Sequence, residues 1–244
     1  QVMPSLDFEM AQILHKHLVE NGIRLALGER VERFEETGGS VTVVTEKRAV
    51  TADIVILAVG VKPNSELAKA CGLEIGARGG IVVDEYLRTS DENIYAVGDA
   101  VETENFLTRE RAVIPLAGPA NKMGRMAADN ISGINRRYKG TQGASVVKVF
   151  DMTAAFTGLN ERQLTAAGKK LNVDYKVTVI HPLSSAGYYP GGTPMSIKLL
   201  FAKQDGKVLG VQAVGFKGVE KRVDVVATAI RFGATVYDLE ELEL

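Results

Sequence analysis

The sequence predicts an α/β first part followed by an α+β second part. In the first part, residues 53–60 (Asp-Ile-Val-Ile-Leu-Ala-Val-Gly) are continuously apolar after the aspartate, which is typical of a strand covered on both faces of a parallel sheet. A second apolar strand, predicted at residues 94–97, leads directly into Gly98-Asp99. After residue 143 the pattern changes to runs of strands with segregated helices, which indicates an antiparallel α+β domain.

Composition and charge exclude several classes of protein. The 244 residues are 45% hydrophobic and 24% charged, as in a globular protein of one large or two ordinary domains. The net charge of -1 implies no general attraction to nucleic acid or to an anionic membrane. No apolar run approaches the roughly 20 residues of a spanning helix. We therefore expect a cytoplasmic protein with no nucleic-acid or membrane partner, and both chain ends read as cut from a longer sequence.

Few residues in this chain could bind a metal or form a disulfide. Cys71 is the single cysteine, which excludes a disulfide scaffold and a multi-cysteine metal site. It is predicted to end a short helix that Gly72 terminates, in a small buried apolar role. His15 and His17 lie two residues apart on a predicted helix and face different directions, so we expect both to be solvated.

Four elements are predicted before residue 53. Apolar residues recur at helical spacing over residues 5–21, where Ser5 or Asp7 can cap the start. A short apolar strand is predicted at residues 23–27. The turn sequence Thr37-Gly38-Gly39-Ser40 then predicts a hairpin between two alternating segments, residues 31–34 and 41–44.

Asp99 is the candidate around which the first part is organised. A strand at residues 79–84 and the strand at residues 94–97 precede it, and ligands in doubly wound α/β proteins bind beyond the carboxyl ends of strands. A carboxylate at this position can accept hydrogen bonds from sugar-like hydroxyls. The alternative is that Asp99 is only a turn residue or a helix N-cap.

A helix predicted at residues 116–132 supplies a second candidate. Pro119 fits its first turn, where free backbone N–H groups and the positive end of the helix dipole favour an anion or an electron-rich ring edge. The small residues Ala117, Gly118 and Ala120 would allow a flat ligand to approach closely. The alternative is a tightly packed helix start without a ligand.

Residues 130–143 are polar and glycine-containing, and they are predicted to be a linker. Asp205-Gly206 predicts a hairpin beyond it. The remaining predicted elements are strands at residues 146–150, 175–180, 196–201 and 208–214 and helices at residues 161–167 and 219–232.

Four segments, in this order, resemble a known family: residues 57–64, 94–99, 116–121 and 157–161. The family is that of the flavin-dependent pyridine nucleotide-disulfide oxidoreductases, and the branch is that of coenzyme A disulfide reductase, NADH oxidase and NADH peroxidase. Residues 187–191 (Gly-Tyr-Tyr-Pro-Gly) resemble the tyrosine-containing segment of coenzyme A disulfide reductases. The resemblance implies partial Rossmann-like (FAD/NAD(P)-binding) segments followed by an α+β dimerisation domain.

The resemblance also implies a division of the chain and a cofactor site. Residues 1–60 would belong to the NAD(P)H-binding domain, residues 61–143 to the returning part of the FAD-binding domain, and residues 144–244 to the dimerisation domain. In this family pattern, Gly98 and Asp99 bind the ribitol of FAD. The residues lining its isoalloxazine ring would be Leu116, Ala117 and Ala120.

The same resemblance implies a substrate site shared within a homodimer. It places Asn121, Lys122 and Arg125 near coenzyme A or its disulfide, although the two basic residues could equally form a solvated helix face. It places Tyr188 and Tyr189 in the active site of the partner subunit, as proton donors to sulfur. The alternative for the tyrosines is packing at the dimer interface, and adjacent residues of an extended segment point to opposite sides, so at most one is expected to be catalytic.

The implied reaction passes hydride from NAD(P)H to FAD, then electrons to a cysteine, which reduces a disulfide such as coenzyme A disulfide. An NADH oxidase or peroxidase is the alternative on the same scaffold. The sequence contains no Gly-x-Gly-x-x-Gly loop after a strand, and Cys71 does not match the redox-active cysteine of the family. We therefore expect this chain alone to be inactive, and a non-catalytic dimerising fragment without bound FAD is a further alternative.

Overall fold

The structure, a computed structural model, describes residues 1–243. Up to residue 143 the described structure contains three α-helices, six strands and one 3₁₀ turn. They are helix α1 (Phe8–Glu20), strands β1 (Val31–Thr37), β2 (Ser40–Thr45) and β3 (Ala49–Ala52), helix α2 (Glu66–Ala70), strand β4 (Ile81–Val82), the 3₁₀ turn Gly98–Ala100, strands β5 (Val101–Glu104) and β6 (Arg111–Ala112), and helix α3 (Ala117–Ile131).

The elements after residue 143 form one antiparallel sheet with helices around it. They are strands β7 (Ser145–Val149) and β8 (Met152–Gly158), helix α4 (Glu161–Ala166), strands β9 (Tyr175–Ile180), β10 (Met195–Ala202) and β11 (Val208–Gly215), and helices α5 (Val219–Phe232) and α6 (Val236–Glu240). The strand order is β7-β8-β11-β10-β9, and every pairing is antiparallel. Helix α5 covers one face of this sheet, where Val219 and Val223 pack on Val211 and Ala213.

The amino-terminal helix covers the opposite face of the same sheet. Leu6, Met10 and Leu14 are buried in one cluster with Ala154 of β8 and Val214 of β11. The alternation of side chains along a strand explains this arrangement, because Ala213 faces α5 while Val214 faces α1. Residues at the start of the chain are therefore part of the core built by its last hundred residues.

A buried charge cluster fixes α1 on this sheet. Lys198 of β10 is 0% exposed, and its Nζ lies 2.9 Å from Asp7 Oδ2 and contacts the carboxylates of Glu9 and Glu161. Asp7 is held further by Gln212, which donates to Oδ2 over 2.7 Å, and by the backbone N–H of Glu161, which donates to Oδ1 over 2.9 Å. Oxygens of Asp7, Glu9 and Glu161 lie close enough to hold a metal ion, but they surround an ammonium group.

The cluster sets the charge state of its members. Burial alone would lower the pKa of Lys198, but the hydrogen bonds to Glu161, Glu9 and Asp7 outweigh it and raise that pKa. Burial would raise the pKa of Glu9, but the hydrogen bond from Lys198, a backbone hydrogen bond and the positive charge of Lys198 together outweigh burial and lower the Glu9 pKa. Both groups are therefore charged near neutral pH.

Most of the predicted elements are present. The helix predicted at residues 5–21 is α1, although the Asp7 side chain does not cap it and binds Gln212 and Lys198 instead. The predicted hairpin is β1–β2, to which β3 adds a third strand. After residue 143, every predicted strand and helix is observed within two residues of its expected bounds, and β8 and α6 are additional.

The strands predicted at residues 23–27 and 53–60 are wrong. Neither segment has regular structure, and Ile56 and Val59 are 86% and 92% exposed. A strand needs neighbours that accept and donate its backbone hydrogen bonds, and no strand within residues 1–243 pairs with either segment. Residues 94–97 likewise form only an isolated bridge between Tyr95 and Arg88.

Three further expectations are corrected. Residues 130–143 are only in part linker-like, because residues 131–137 are exposed but Tyr138 and Thr141 are buried, with their hydroxyls 2.6 Å apart. His15 and His17 are buried rather than solvated, where His15 accepts a hydrogen bond from the backbone N–H of Val2 and His17 pairs with Asp151. Cys71 is exposed, because the short helix α2 buries no residue.

Within residues 1–243, no helix is both long and apolar enough to cross a membrane.

Replacing Lys198 by Met is expected to lower the free energy of unfolding by about 3–5 kcal/mol, because three carboxylates would lose their shared cation. Urea denaturation followed by circular dichroism measures this loss. The exposed Lys148→Met variant on β7 is the matched control and should change stability little. A Lys198→Met variant as stable as the control would contradict a stabilising role for the cluster.

Acid should weaken the same cluster. The lowered pKa of Glu9 means that its contribution to stability is present above its ordinary pKa of 4.5 and is lost as the pH falls through its value in the folded protein. The unfolding midpoint should therefore fall more between about pH 6 and pH 3 in the wild type than in Glu9→Gln. Parallel pH profiles of the two proteins would show that Glu9 is not linked to stability.

Candidate functional site

The Gly98–Ala100 turn presents Asp99 at the surface. Gly98 has a φ of 85°, in the left-handed region that glycine adopts without a Cβ penalty. The chain then enters β5, which pairs in parallel with β4. The Asp99 side chain is exposed, and in the described part of the chain it makes no hydrogen bond or ion pair. Because the N-cap of this turn is Val97, Asp99 is not a helix N-cap, and its carboxylate is free to accept hydrogen bonds.

Helix α3 packs against this turn. Its N-cap, Leu116, is extended and supplies no capping side chain, so the N–H groups of Ala117 and Gly118 have no intrahelical acceptor. Pro119 has no N–H, and the N–H of Ala120 already donates to Leu116 O over 3.1 Å. The start of α3 therefore presents two free donors and the positive end of the helix dipole.

These groups fit one side of a flavin. An exposed carboxylate can accept hydrogen bonds from ribityl hydroxyls, and uncapped amides can donate to an electron-rich ring edge. A Cβ built on Gly118 would meet nothing within 4 Å, so the surface beside the helix start is open. Gly98 and Asp99 lie in a turn that packs against α3, and the start of α3 carries the other predicted residues, Leu116, Ala117 and Ala120.

The predicted substrate residues on α3 have separate surroundings. Asn121 turns back on its own helix, where Nδ2 donates to Ala117 O over 2.9 Å. Arg125 is exposed and pairs with no carboxylate within residues 1–243. Lys122 Nζ lies 5.9 Å from the ring centroid of Tyr138. Burial lowers the pKa of Lys122, and the charges of nearby basic residues lower it further.

Tyr188 and Tyr189 are 91% and 65% exposed. They lie in a turn, where the Tyr189 N–H donates to Ala186 O over 2.9 Å. The expectation that at most one of them is catalytic assumed an extended segment, which the structure does not have at this position. In the described structure neither hydroxyl takes part in a hydrogen bond. Both are therefore free to contact another molecule.

Sequence reasoning missed the charged cluster around Lys198. The signal was a lysine in the middle of an otherwise apolar strand, since a buried lysine requires carboxylate partners. It also missed a buried oxygen of Glu102, which has no hydrogen-bond partner among the described residues and faces Gly76. No feature of the local sequence distinguishes Glu102 from the exposed Glu104.

Two family models match the chain. Residues 1–124 match the model described as pyridine nucleotide-disulphide oxidoreductase, and residues 144–242 match the dimerisation domain of the same family. The chain belongs to the pyridine nucleotide-disulphide oxidoreductase family. The predicted family and its fold, Rossmann-like segments followed by a dimerisation domain with an antiparallel sheet, are thereby confirmed.

Curated relatives carry several related names. The chain is 37% identical to the CoA-dependent NAD(P)H sulfur oxidoreductase of Pyrococcus abyssi, over 96% of this chain and 51% of the relative. It is 36% identical to an NADH oxidase of Methanocaldococcus jannaschii, over 100% and 53%. It is 31% identical to the coenzyme A disulfide reductase of Staphylococcus epidermidis, over 98% and 53%. The chain thus spans about half the length of these relatives.

A solved structure shares the fold. Reduced CoADR-RHD from Bacillus anthracis superposes with a TM-score of 0.95 at 48% sequence identity. The match covers 100% of this chain and 43% of that chain.

Proposed function

We propose that this chain is part of an FAD-dependent NAD(P)H oxidoreductase that reduces a disulfide, with coenzyme A disulfide as the substrate. The observation that carries this proposal is the unpaired Asp99 carboxylate in a turn that packs against α3, a helix whose start has no capping side chain. Residues 1–60 would then belong to the NAD(P)H-binding domain, residues 61–143 to the FAD-binding domain and residues 144–244 to the dimerisation domain.

In this proposal the cofactor residues have distinct roles. Asp99 accepts hydrogen bonds from the ribityl hydroxyls, and Gly98 permits the turn that exposes it. Leu116, Ala117 and Ala120 line the ring, and the start of α3 stabilises negative charge at the ring edge. FAD, when bound, supplies the ability to accept a hydride equivalent.

The substrate side of the site would use Asn121, Lys122 and Arg125. Coenzyme A carries phosphates, and arginine and lysine are the side chains that bind phosphate. Arg125 and Lys122 are three residues apart on α3, so they share one side of the helix. The coenzyme A dependence named for the Pyrococcus abyssi relative supports this assignment.

Tyr188 and Tyr189 would complete the site of the partner subunit in a homodimer. A tyrosine hydroxyl can donate a hydrogen bond or a proton to a thiolate leaving group. The exposure of both rings and the match to a dimerisation domain support this role.

An NADH oxidase or peroxidase is the second candidate, and the NADH oxidase name of the Methanocaldococcus jannaschii relative favours it. It differs in the electron acceptor, since oxygen or peroxide replaces the disulfide. A third candidate is a dimerising fragment that binds no flavin. A colourless preparation of this chain is expected, whereas visible flavin absorbance would exclude this third candidate.

In the longer protein, Asp99→Ala is expected to lose most bound flavin, because the variant lacks the carboxylate proposed to accept hydrogen bonds from the ribityl hydroxyls. Visible absorbance of the purified protein measures flavin content, and NADH oxidation with coenzyme A disulfide measures activity. Glu92→Gln, also exposed and on the same loop, should retain both. NADH consumption with oxygen or peroxide but not with the disulfide would refute the disulfide reductase and support the second candidate.

A mixing experiment tests whether the tyrosines act across the dimer. Subunits carrying Asp99→Ala and subunits carrying both Tyr188→Phe and Tyr189→Phe are expected to be weakly active alone. After co-refolding in equal amounts, about a quarter of wild-type activity should return, because half of the dimers are mixed and each holds one intact site. No recovery in dimers verified by light scattering would contradict a tyrosine acting in the partner.

A further inference from the structure

The connection between β9 and β10 carries Tyr188 and Tyr189 in a loop of residues 184–193, here called the tyrosine loop. Its two ends pair with each other. The N–H of Ser184 donates to Thr193 O over 2.8 Å, and the N–H of Thr193 donates to Ser184 Oγ over 3.0 Å. Between these ends, the backbone makes one internal hydrogen bond in the described structure, from the N–H of Tyr189. The tip of the loop therefore has little regular structure of its own to hold it.

Two basic side chains from outside the tyrosine loop donate hydrogen bonds to its backbone. Lys217 Nζ lies 3.2 Å from Gly191 O, and Arg222 Nη2 lies 3.1 Å from Ser184 O. One acceptor follows the tyrosines closely and the other begins the loop, so both limbs of the loop are tied to the same part of the protein. Among the described residues, neither basic side chain pairs with a carboxylate or donates to any other group.

The two donors come from the junction of β11 and α5, which is well packed. Lys217 lies between the two elements, and Arg222 lies near the start of α5. Val219 and Val223 of this helix are buried in one cluster with Met195, the first residue of β10. Because the helix start shares this core with the residue that ends the loop connection, both donors have a fixed base from which to hold the loop.

No hydrogen bond in the described part of the chain orients the tyrosine side chains themselves. Both rings are exposed, and neither hydroxyl has a partner there. The direction of each ring therefore follows from the backbone that carries it. A proton donor must come within about 2.6–3.2 Å of its acceptor, so a small movement of the loop would remove the contact. Supporting hydrogen bonds are the usual means of holding such a group in place.

We propose that Lys217 and Arg222 are positioning residues, which hold the tyrosine loop so that a tyrosine hydroxyl meets the substrate in the partner subunit. This inference rests on the proposed function, in which Tyr188 and Tyr189 donate to a sulfur leaving group. The two cations act through the loop backbone, since each donates to a carbonyl oxygen. Their positive charge strengthens these hydrogen bonds relative to those of a neutral donor.

Hydrogen exchange in this chain, followed by NMR, tests whether the two cations hold the loop. The amides of Ser184, Tyr189 and Thr193 donate hydrogen bonds within the loop, so their exchange rates report its opening. In Lys217→Met with Arg222→Met, these amides are expected to exchange at least about fivefold faster, because two hydrogen bonds to the loop are lost.

The matched control is Lys221→Met. Lys221 is exposed on the same helix, and within residues 1–243 its side chain takes part in no hydrogen bond or ion pair. This variant should exchange like the wild type. Light scattering verifies that all samples have the same oligomeric state, since contact with a partner could also protect the loop. Equal exchange rates in the double variant and in Lys221→Met would overturn the proposal.

Steady-state kinetics of the longer protein with coenzyme A disulfide test the link to the tyrosines. Lys217→Met with Arg222→Met is expected to lower kcat by about threefold or more and to change KM less, because proton donation and not substrate binding is impaired. In a background of Tyr188→Phe with Tyr189→Phe, the same substitutions should have no further effect, since the hydroxyls through which they act are gone. Lys217→Arg with Arg222→Lys keeps both cationic donors and should restore most of kcat.

The outcomes separate this inference from the proposed function. An equal loss of kcat in the two backgrounds, or no loss with the tyrosines present, would overturn the positioning role. A wild-type longer protein that does not reduce the disulfide would refute the proposed function instead. In that case the exchange rates of this chain would still decide whether Lys217 and Arg222 hold the tyrosine loop.

Discussion

The buried ammonium of Lys198 is the interaction on which the rest of the structure depends. A lysine in the middle of a central strand is tolerated only because Asp7, Glu9 and Glu161 contact it. Asp7 and Glu9 belong to the start of α1, so the same contacts hold that helix on the sheet. The two parts matched by separate family models therefore share a core, with α1 on one sheet face and α5 on the other.

The candidate flavin site depends on a different kind of constraint. Gly98 takes a left-handed conformation in the turn that exposes Asp99, and α3, which packs against this turn, begins without a capping side chain. The carboxylate and the two amide groups are exposed and have no protein partner, so they remain available to a ligand. A ligand with hydroxyls and an electron-rich edge would satisfy all of them. The free hydrogen-bond acceptor of Asp99 and the free N–H donors of α3 are the local features on which the proposed function depends.

Aromatic rings and basic side chains meet where α3 and α5 approach each other. Phe106 contacts the guanidinium groups of both Arg109 and Arg231, at 5.2 Å and 4.1 Å from its centroid. Tyr138 is buried nearby, in a segment whose polar composition is typical of a linker. Tyr138 packs against α3, and Arg231 of α5 donates a hydrogen bond to Gly140 O two residues later. The positive charge collected there is a property of the assembled fold and of no single motif.

The sequence by itself determined the helices and strands that have a clear hydrophobic periodicity. The periodicities of α1, α5 and the strands after residue 143 predict their structure, and the four ordered segments predict the family and the Asp99 site. It could not determine whether residues 53–60 pair as a strand, because pairing depends on neighbours and not on apolar composition. Only the tertiary structure decided that α1 packs on the last sheet, that Lys198 meets Glu9 and that Arg231 reaches Gly140, since the last two contacts join residues 189 and 91 positions apart.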